Sequence, residues 1–225
     1  MKKKILAIIL ARGGSKRLKN KNIRKLKNIP LINWTTNIAI KSKKFCNIIV
    51  SSDSEKILKT IKLHDNKILI LKRPKKYAYD KSTSEDAILH ALKWYEKKFS
   101  KIDYITLLQP TSPFRSLKTI NQGIKKIVNS KINAVIAVKR IKFQLSGKKS
   151  FYLTKNNLCA EIKFNSSSNK IYEISGLFYL IKKNFFIKKH NFSPSKFKPL
   201  IINSQKENID IDTIEDWNFA KKFVE

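Results

Sequence analysis

Residues 1–22 read MKKKILAIILARGGSKRLKNKN, and the reading of this stretch decides the fold. Three lysines ahead of an apolar run have the outline of a secretory leader. The run Ile5 to Ala11 is short for a leader's apolar region, however. Arg12 closes it, and no A-x-A cleavage pattern follows. A continuous apolar run of this length, ending at Gly, is what a parallel strand buried on both faces looks like. ILAIILA is therefore expected to be the first strand of a sheet. It delivers ARGGSKRLKNKN, a loop dense in Gly and cations, to the strand's carboxyl end.

Similar apolar runs recur further along: NIIVSS at 47–52, KILILK at 67–72, YITLLQ at 104–109 and NAVIAVK at 133–139. Segments of helical period lie between them. After Pro30, Leu31, Trp34 and Ile38 share a face. Ile88, Ala91, Leu92 and Tyr95 fall at i, i+3, i+4 and i+7 behind a capping-box pattern of Ser82 and Glu85. Leu117, Ile120, Ile124, Ile127 and Val128 line up in the same way. Strand and helix thus alternate repeatedly, which predicts an α/β chain with a mainly parallel sheet. From about 140 to 175 the rhythm breaks into loosely alternating residues and turn signals, expected to be a β-hairpin excursion from the core. GLFYLIKK at 176–183 reads as a further strand, and LIINSQ at 200–205 as a short extended segment. IDIDTIEDW at 209–217 reads as a strand tip entering a helix, with Asp212 as N-cap and Glu215 at N3.

Composition limits the function classes. No window approaches the roughly 18 apolar residues of a membrane-spanning helix. The only cysteines are Cys46 and Cys159, in no metal-binding spacing and with no disulfide framework, which fits a reducing cytoplasm. The formal charge is +33, from 49 Lys+Arg against 16 Asp+Glu. Such a balance invites a nucleic-acid reading. The lysines, however, are scattered over the whole chain, and they accompany abundant Asn and Ile, as an AT-rich genome would produce. No basic arm and no RNA-reading aromatic motif stands out, so no nucleic-acid partner is expected. Positive potential that attracts a small polyanion such as a nucleoside triphosphate is the more economical use.

The loop after the first strand suits such an anion. Gly13 and Gly14 permit a sharp turn and close approach of backbone N–H groups, while Arg12, Lys16 and Lys21 add charge. The pattern is neither a Walker A loop nor a dinucleotide GxGxxG. Taken alone, it is equally a turn in a basic protein. Asp210 and Asp212 alternate along an extended stretch, so both point to one side. Two carboxylates so placed repel unless a cation lies between them.

The order of residues is more specific than these features. ILARGGSKRLKNKN resembles the opening motif P-A-R-G-G-S-K-x-x-x-x-K-N of the CMP–sialic acid synthetases, the acylneuraminate cytidylyltransferase family. Arg12, Gly13, Gly14, Ser15, Lys16, Lys21 and Asn22 fall in place, with Leu10 where Pro is usual. SSDSEKI, RPKKYAYDKSTSEDAI (matching at Arg73, Asp80 and Ser84), LLQPTSPFR and IDIDTIEDW resemble further blocks of that family, in the same order.

The resemblance implies a Rossmann-like three-layer α/β/α fold forming a single nucleotidyltransferase domain over 1–225. It implies a cytoplasmic enzyme that joins CTP to a 2-keto acid sugar and releases pyrophosphate. It places Ala11, Arg12, Gly13, Gly14, Ser15, Lys21 and Asn22 at the nucleotide, with Arg73 and Ser84 reading the cytosine or lying beside it. Arg12, Lys16, Lys21 and Asp212 become the catalytic set. Asp210 and Asp212 become the ligands of a Mg²⁺ ion, a role Asp212 could combine with capping the last helix. Gln109 and Tyr179 are placed at the sugar, and Arg115 either meets the sugar carboxylate or pairs with the following helix. The 140–175 region would shape the sugar pocket and a homodimer contact. There the pattern departs: Ser175 replaces the family's Asn before Gly176, and an R-Q-x-x-P stretch is absent. N-acetylneuraminate, legionaminate, pseudaminate or another nonulosonic acid all stay open as the sugar, with Kdo less favoured.

Overall fold

The computed structural model describes residues 3–61, 65–79, 82–128, 130–141, 150–154, 156–161 and 171–224. The opening run forms strand β1 (Ile5–Leu10). Its side chains alternate between two cores: Ile5, Ala7 and Ile9 face one, and Leu6 and Ile8 face the other. Burial on both faces is why the sequence is apolar without alternation. A short hairpin follows, β2 (Lys25–Leu26) with β3 (Ile29–Pro30). Lys27 and Asn28 at its turn both take left-handed conformations, as a two-residue turn matched to strand twist requires. It leads straight into helix α1 (Leu31–Ser42).

The expected alternation continues with β4 (Asn47–Ser52), α2 (Glu55–Thr60), β5 (Ile68–Lys72), α3 (Ser84–Lys98), β6 (Tyr104–Leu107), α4 (Leu117–Val128) and β7 (Ala134–Ile141). Strands β8 (Ser150–Leu153), β9 (Cys159–Glu161), β10 (Ile171–Lys182) and β11 (Lys196–Ile201) complete the sheet, with α5 (Lys183–Lys189) between the last two. Helix α6 (Ile214–Lys221) closes the chain. One core joins α1, α2 and α4 to the sheet, and the other joins α3 and α5 to its opposite face. The three-layer α/β arrangement is therefore present.

The sheet is mixed rather than mainly parallel. Its order is β5-β4-β1-β6-β10-β7-β11-β9-β8. Parallel pairing holds for β5–β4, β4–β1, β1–β6 and β7–β11, whereas every pair involving β10, β8 or β9 is antiparallel. The reason is β10, a 12-residue strand inserted antiparallel between β6 and β7. Nor does the hairpin β8–β9 project from the core. It pairs with both β10 and β11, so the strands β7-β11-β9-β8-β10 close into a ring. Phe151, Cys159, Tyr172 and Phe197 are buried there, which makes closure favourable. Parts of the 140–175 excursion, residues 142–149, 155 and 162–170, lie outside the described residues.

Two local expectations shift. Of the expected face of α1 only Leu31 is fully buried; the other buried positions are Ile32, Asn33, Thr35, Thr36, Ala39 and Ser42, and Trp34 and Ile38 are only partly covered. Thr83, not Ser82, caps α3, its hydroxyl accepting from the Asp86 N–H. The segment at 200–205 is strand only to Ile201. Among the described residues no helix is long and apolar enough to cross a membrane.

Candidate active site

The carboxyl ends of β1, β4, β5 and β6 lie side by side, the place where open α/β sheets bind ligands. Each delivers one functional segment: the loop from Ala11, Asp53, Arg73 and Gln109. A cavity of about 520 Å³ opens there. Of the residues expected at the site, Arg12, Ser15, Lys16, Lys21, Asn22, Arg73, Ser84, Gln109, Asp210 and Asp212 all line it. Residues from positions 12 to 212 thus converge on one space.

The C-terminal pair arrives by alternation. In IDID, Ile209 and Ile211 pack into a third core with Leu18, Leu26, Leu31, Phe114 and Trp217. The Ile211 N–H donates to the Thr111 carbonyl at 2.8 Å. This segment is extended but not a strand. With the isoleucines held in the core, Asp210 and Asp212 face the cavity and the N-terminal loop. Lys21 Nζ and Arg17 Nη2 each donate to Asp212, both at 2.7 Å. Asp212 does not cap the last helix. Thr213 does so, in a reciprocal capping box with Asp216, which leaves both Asp212 oxygens to the cations.

The two carboxyls sit in opposite electrostatic settings. Burial pushes the Asp212 carboxyl up, but Lys21 and Arg17 outweigh it and hold the group below its ordinary value. Burial raises Asp210, and the neighbouring Asp212 adds to the rise; Thr111, Lys21 and Lys139 only partly oppose it. Asp210 Oδ1 is buried without a hydrogen-bond partner among the described residues.

The glycine loop works differently from expectation. Neither Gly13 nor Gly14 has positive φ. The Gly13 N–H donates to Asp53 Oδ1 at 2.9 Å, so it is not open to an anion. A Cβ on Gly13 would stand 2.9 Å from that of Ser54, so close approach is what requires glycine here. Asp53 also lies 3.9 Å from Arg73 Nη2 and so ties the loop to the end of β5. Burial lowers the Arg73 pKa, Asp53 opposing and Arg12 adding to the fall. Asp53 stands in the SSDSEKI block, but nothing in its spacing announces that it organises the loop. Arg17 and Asp53 are the functional residues that sequence reasoning missed.

Ala11, Arg115 and Tyr179 do not line the cavity, and Asn22 lines it in a structural role. Ala11 is core, its N–H donating to the Ser51 carbonyl at 3.0 Å. Asn22 touches the cavity, but its amide donates to the Arg12 carbonyl at 3.0 Å and fixes the loop. Arg115 is 3% exposed and does not line the cavity, and its hydrogen bonds among the described residues go elsewhere than the following helix. Its guanidinium donates to the Leu177 carbonyl, to Thr35 Oγ1 at 3.3 Å and to the Gln109 carbonyl at 3.1 Å. Tyr179 packs beside Phe192 in the core behind the sheet and does not line the cavity. Asp80 lies outside the described residues. Gly176 takes Tyr179's expected place near Gln109. At φ +75°, a Cβ there would meet Gln109 Oε1 at 2.5 Å, so only glycine lets β10 pass behind that side chain.

Comparison with known proteins bears directly on this geometry. The chain is 34% identical over 228 residues to the CMP-N,N'-diacetyllegionaminic acid synthase of Legionella pneumophila, covering 99% of this chain and 97% of that protein. It is 32% identical over 225 residues to the N-acylneuraminate cytidylyltransferase of Escherichia coli, covering 98% of this chain and 52% of that one. Among solved structures, a CMP:2-keto-3-deoxy-manno-octonic acid synthetase complexed with CTP superposes with a TM-score of 0.73. That match covers 98% of each chain at 12% identity and shows a shared fold. Residues 6–225 match the family model described as cytidylyltransferase, and the chain therefore belongs to the cytidylyltransferase family.

Proposed function

We propose that this protein transfers CMP from CTP to the anomeric hydroxyl of a nonulosonic acid. The sugar oxygen forms a bond to the α-phosphorus and gives up its proton to solvent, while the bond from that phosphorus to the α–β bridging oxygen breaks and pyrophosphate leaves with the electron pair. The observation that carries this reading is the convergence of Arg12, Lys16 and Lys21 with Asp210 and Asp212 on one cavity. Phosphoryl-type transfer relies on positioning and charge neutralisation, with little covalent work for the protein. Arg12, Ser15, Lys16 and Lys21 bind the triphosphate in this reading, and Lys16 and Lys21 offset charge that develops on the departing pyrophosphate. Arg73 and Ser84 lie on the side of the base, and Gln109 faces the acceptor. The scattered positive charge adds long-range attraction for both anionic substrates.

The family resemblance also implies Mg²⁺, and the residues present fit such an ion. Asp210 offers a buried oxygen without a partner among the described residues, and Asp212 stands two positions away on the same cavity. Hard oxygen donors of this kind suit Mg²⁺, which takes its remaining ligands from phosphates and water. Asp210 and Asp212 would hold it, and when bound it supplies positive charge against the phosphates. Relatives that act on legionaminic, N-acylneuraminic and pseudaminic acids match the chain over nearly its whole length, which supports an acceptor of this class.

Equilibrium titration with each nucleoside triphosphate in the presence of Mg²⁺ tests the nucleotide half of the proposal. A pocket that hydrogen-bonds one base edge is expected to bind CTP at least about tenfold more tightly than UTP, ATP or GTP. Equal binding of all four would contradict a cytidine site.

A further inference from the structure

A second cavity of about 500 Å³ adjoins the first and shares Arg17, Asp210 and Asp212 with it. Its far wall is built on the ring-closing strands. There Glu173 of β10 stands directly across from Lys139 of β7 in antiparallel register. Lys139 Nζ lies 2.9 Å from Glu173 Oε1. Glu173 is 4% exposed, and its other oxygen, Oε2, is buried without a hydrogen-bond partner among the described residues.

A buried carboxylate with one free oxygen is costly, because that oxygen has lost water and gained nothing. A strand-to-strand staple needs no such group; Glu and Lys on the outer face of a sheet serve that purpose more cheaply. The pair faces the cavity instead, near enough to the carboxylate centre for the Lys139 charge to be felt at Asp210. Phe219 of α6, 39% exposed, forms an apolar part of the same wall. An acceptor oxygen, a cation and an aromatic face together suit a ligand that carries an O–H or amide N–H donor beside an apolar group.

We propose that the Lys139–Glu173 pair is a specificity element for the acceptor sugar, with Glu173 Oε2 accepting from a hydroxyl or amide N–H of a ring substituent. This rests on the reading of the acceptor as a nonulosonic acid. It concerns only the sugar half of the site, since neither residue lines the cavity that holds the triphosphate cations.

The test is steady-state pyrophosphate release with CTP and, in turn, N,N'-diacetyllegionaminic, N-acetylneuraminic and pseudaminic acids. It compares the parent protein, Glu173→Gln, and the exchanged pair Lys139→Glu/Glu173→Lys. For the sugar turned over best, both variants are expected to raise the sugar KM about tenfold or more, the worth of one hydrogen bond to a charged group, while the CTP KM stays within about twofold. The exchanged pair keeps the cross-strand attraction, so it carries the test if Glu173→Gln folds poorly. An unchanged sugar KM in a folded variant would overturn the inference. So would restoration of the sugar KM by the exchanged pair, since that makes the pair a staple only. Absence of release from the parent protein with every sugar would instead sink the assignment of the acceptor, and this inference with it.

Discussion

Asp212→Ala is expected to lower kcat at least about 100-fold, the scale of removing one preorganised charge-stabilising group from a phosphoryl-transfer site. The side chain does two things at once. It fixes Lys21 and Arg17 through 2.7 Å contacts, and in the proposed mechanism it holds the divalent cation with Asp210. Its loss frees both cations to wander and removes half of the carboxylate pair. The fold should survive, because Ile211 and Ile209 anchor the segment and the capping box uses Thr213 and Asp216 instead. CTP affinity should survive too, since Arg12 and Lys16 remain on the loop. The measurements are kcat at saturating Mg²⁺, the far-UV spectrum and a CTP titration. A variant with near-parental kcat at saturating Mg²⁺ would show that Asp212 is not a metal ligand.

The second large effect is on stability. Arg115→Met is expected to cost about 2–4 kcal/mol, because it leaves the buried carbonyls of Leu177 and Gln109 without their donors. The guanidinium joins three elements: the loop after β6, the β10 bulge and the polar face of α1 through Thr35. Burial drives its pKa down to about 9, with Glu207 and Asp210 opposing, so the cation is held by its contacts and not by solvent. The denaturant midpoint is the readout. An unchanged midpoint with a raised sugar KM would return Arg115 to the substrate.

These two residues also mark what was legible in the sequence. The strands β1, β4, β5 and β6 could be read because burial on both faces leaves an uninterrupted apolar signature. The loop motif and the IDID segment were legible as chemistry because their order matches a family. Arg115 shares that order, yet its burial depends on Thr35 turning inward from a helix whose apolar residues suggested a different face. The antiparallel course of β10 was hidden for a related reason. Apolar periodicity does not encode strand direction, and an open edge at β6 or β7 accepts a neighbour of either direction, so the antiparallel pairing of β10 with both had no signature in the residues. Asp53 was invisible because its task, accepting the Gly13 N–H, depends on the side-by-side ends of β1 and β4. The helix caps moved by one residue at Thr83 and Thr213, since a second residue of capping type stands just before each, Ser82 in one place and Asp212 in the other.

The central claim is that one site, built around Asp210 and Asp212, brings CTP and an acidic 2-keto sugar together for transfer of CMP. Pyrophosphate release over a matrix of four nucleoside triphosphates against nonulosonic acids and Kdo, with Mg²⁺ present, tests it most directly. The account predicts release with CTP and at least one nonulosonic acid, matched mole for mole by a CMP-sugar. No release from CTP with any nonulosonic acid would contradict it.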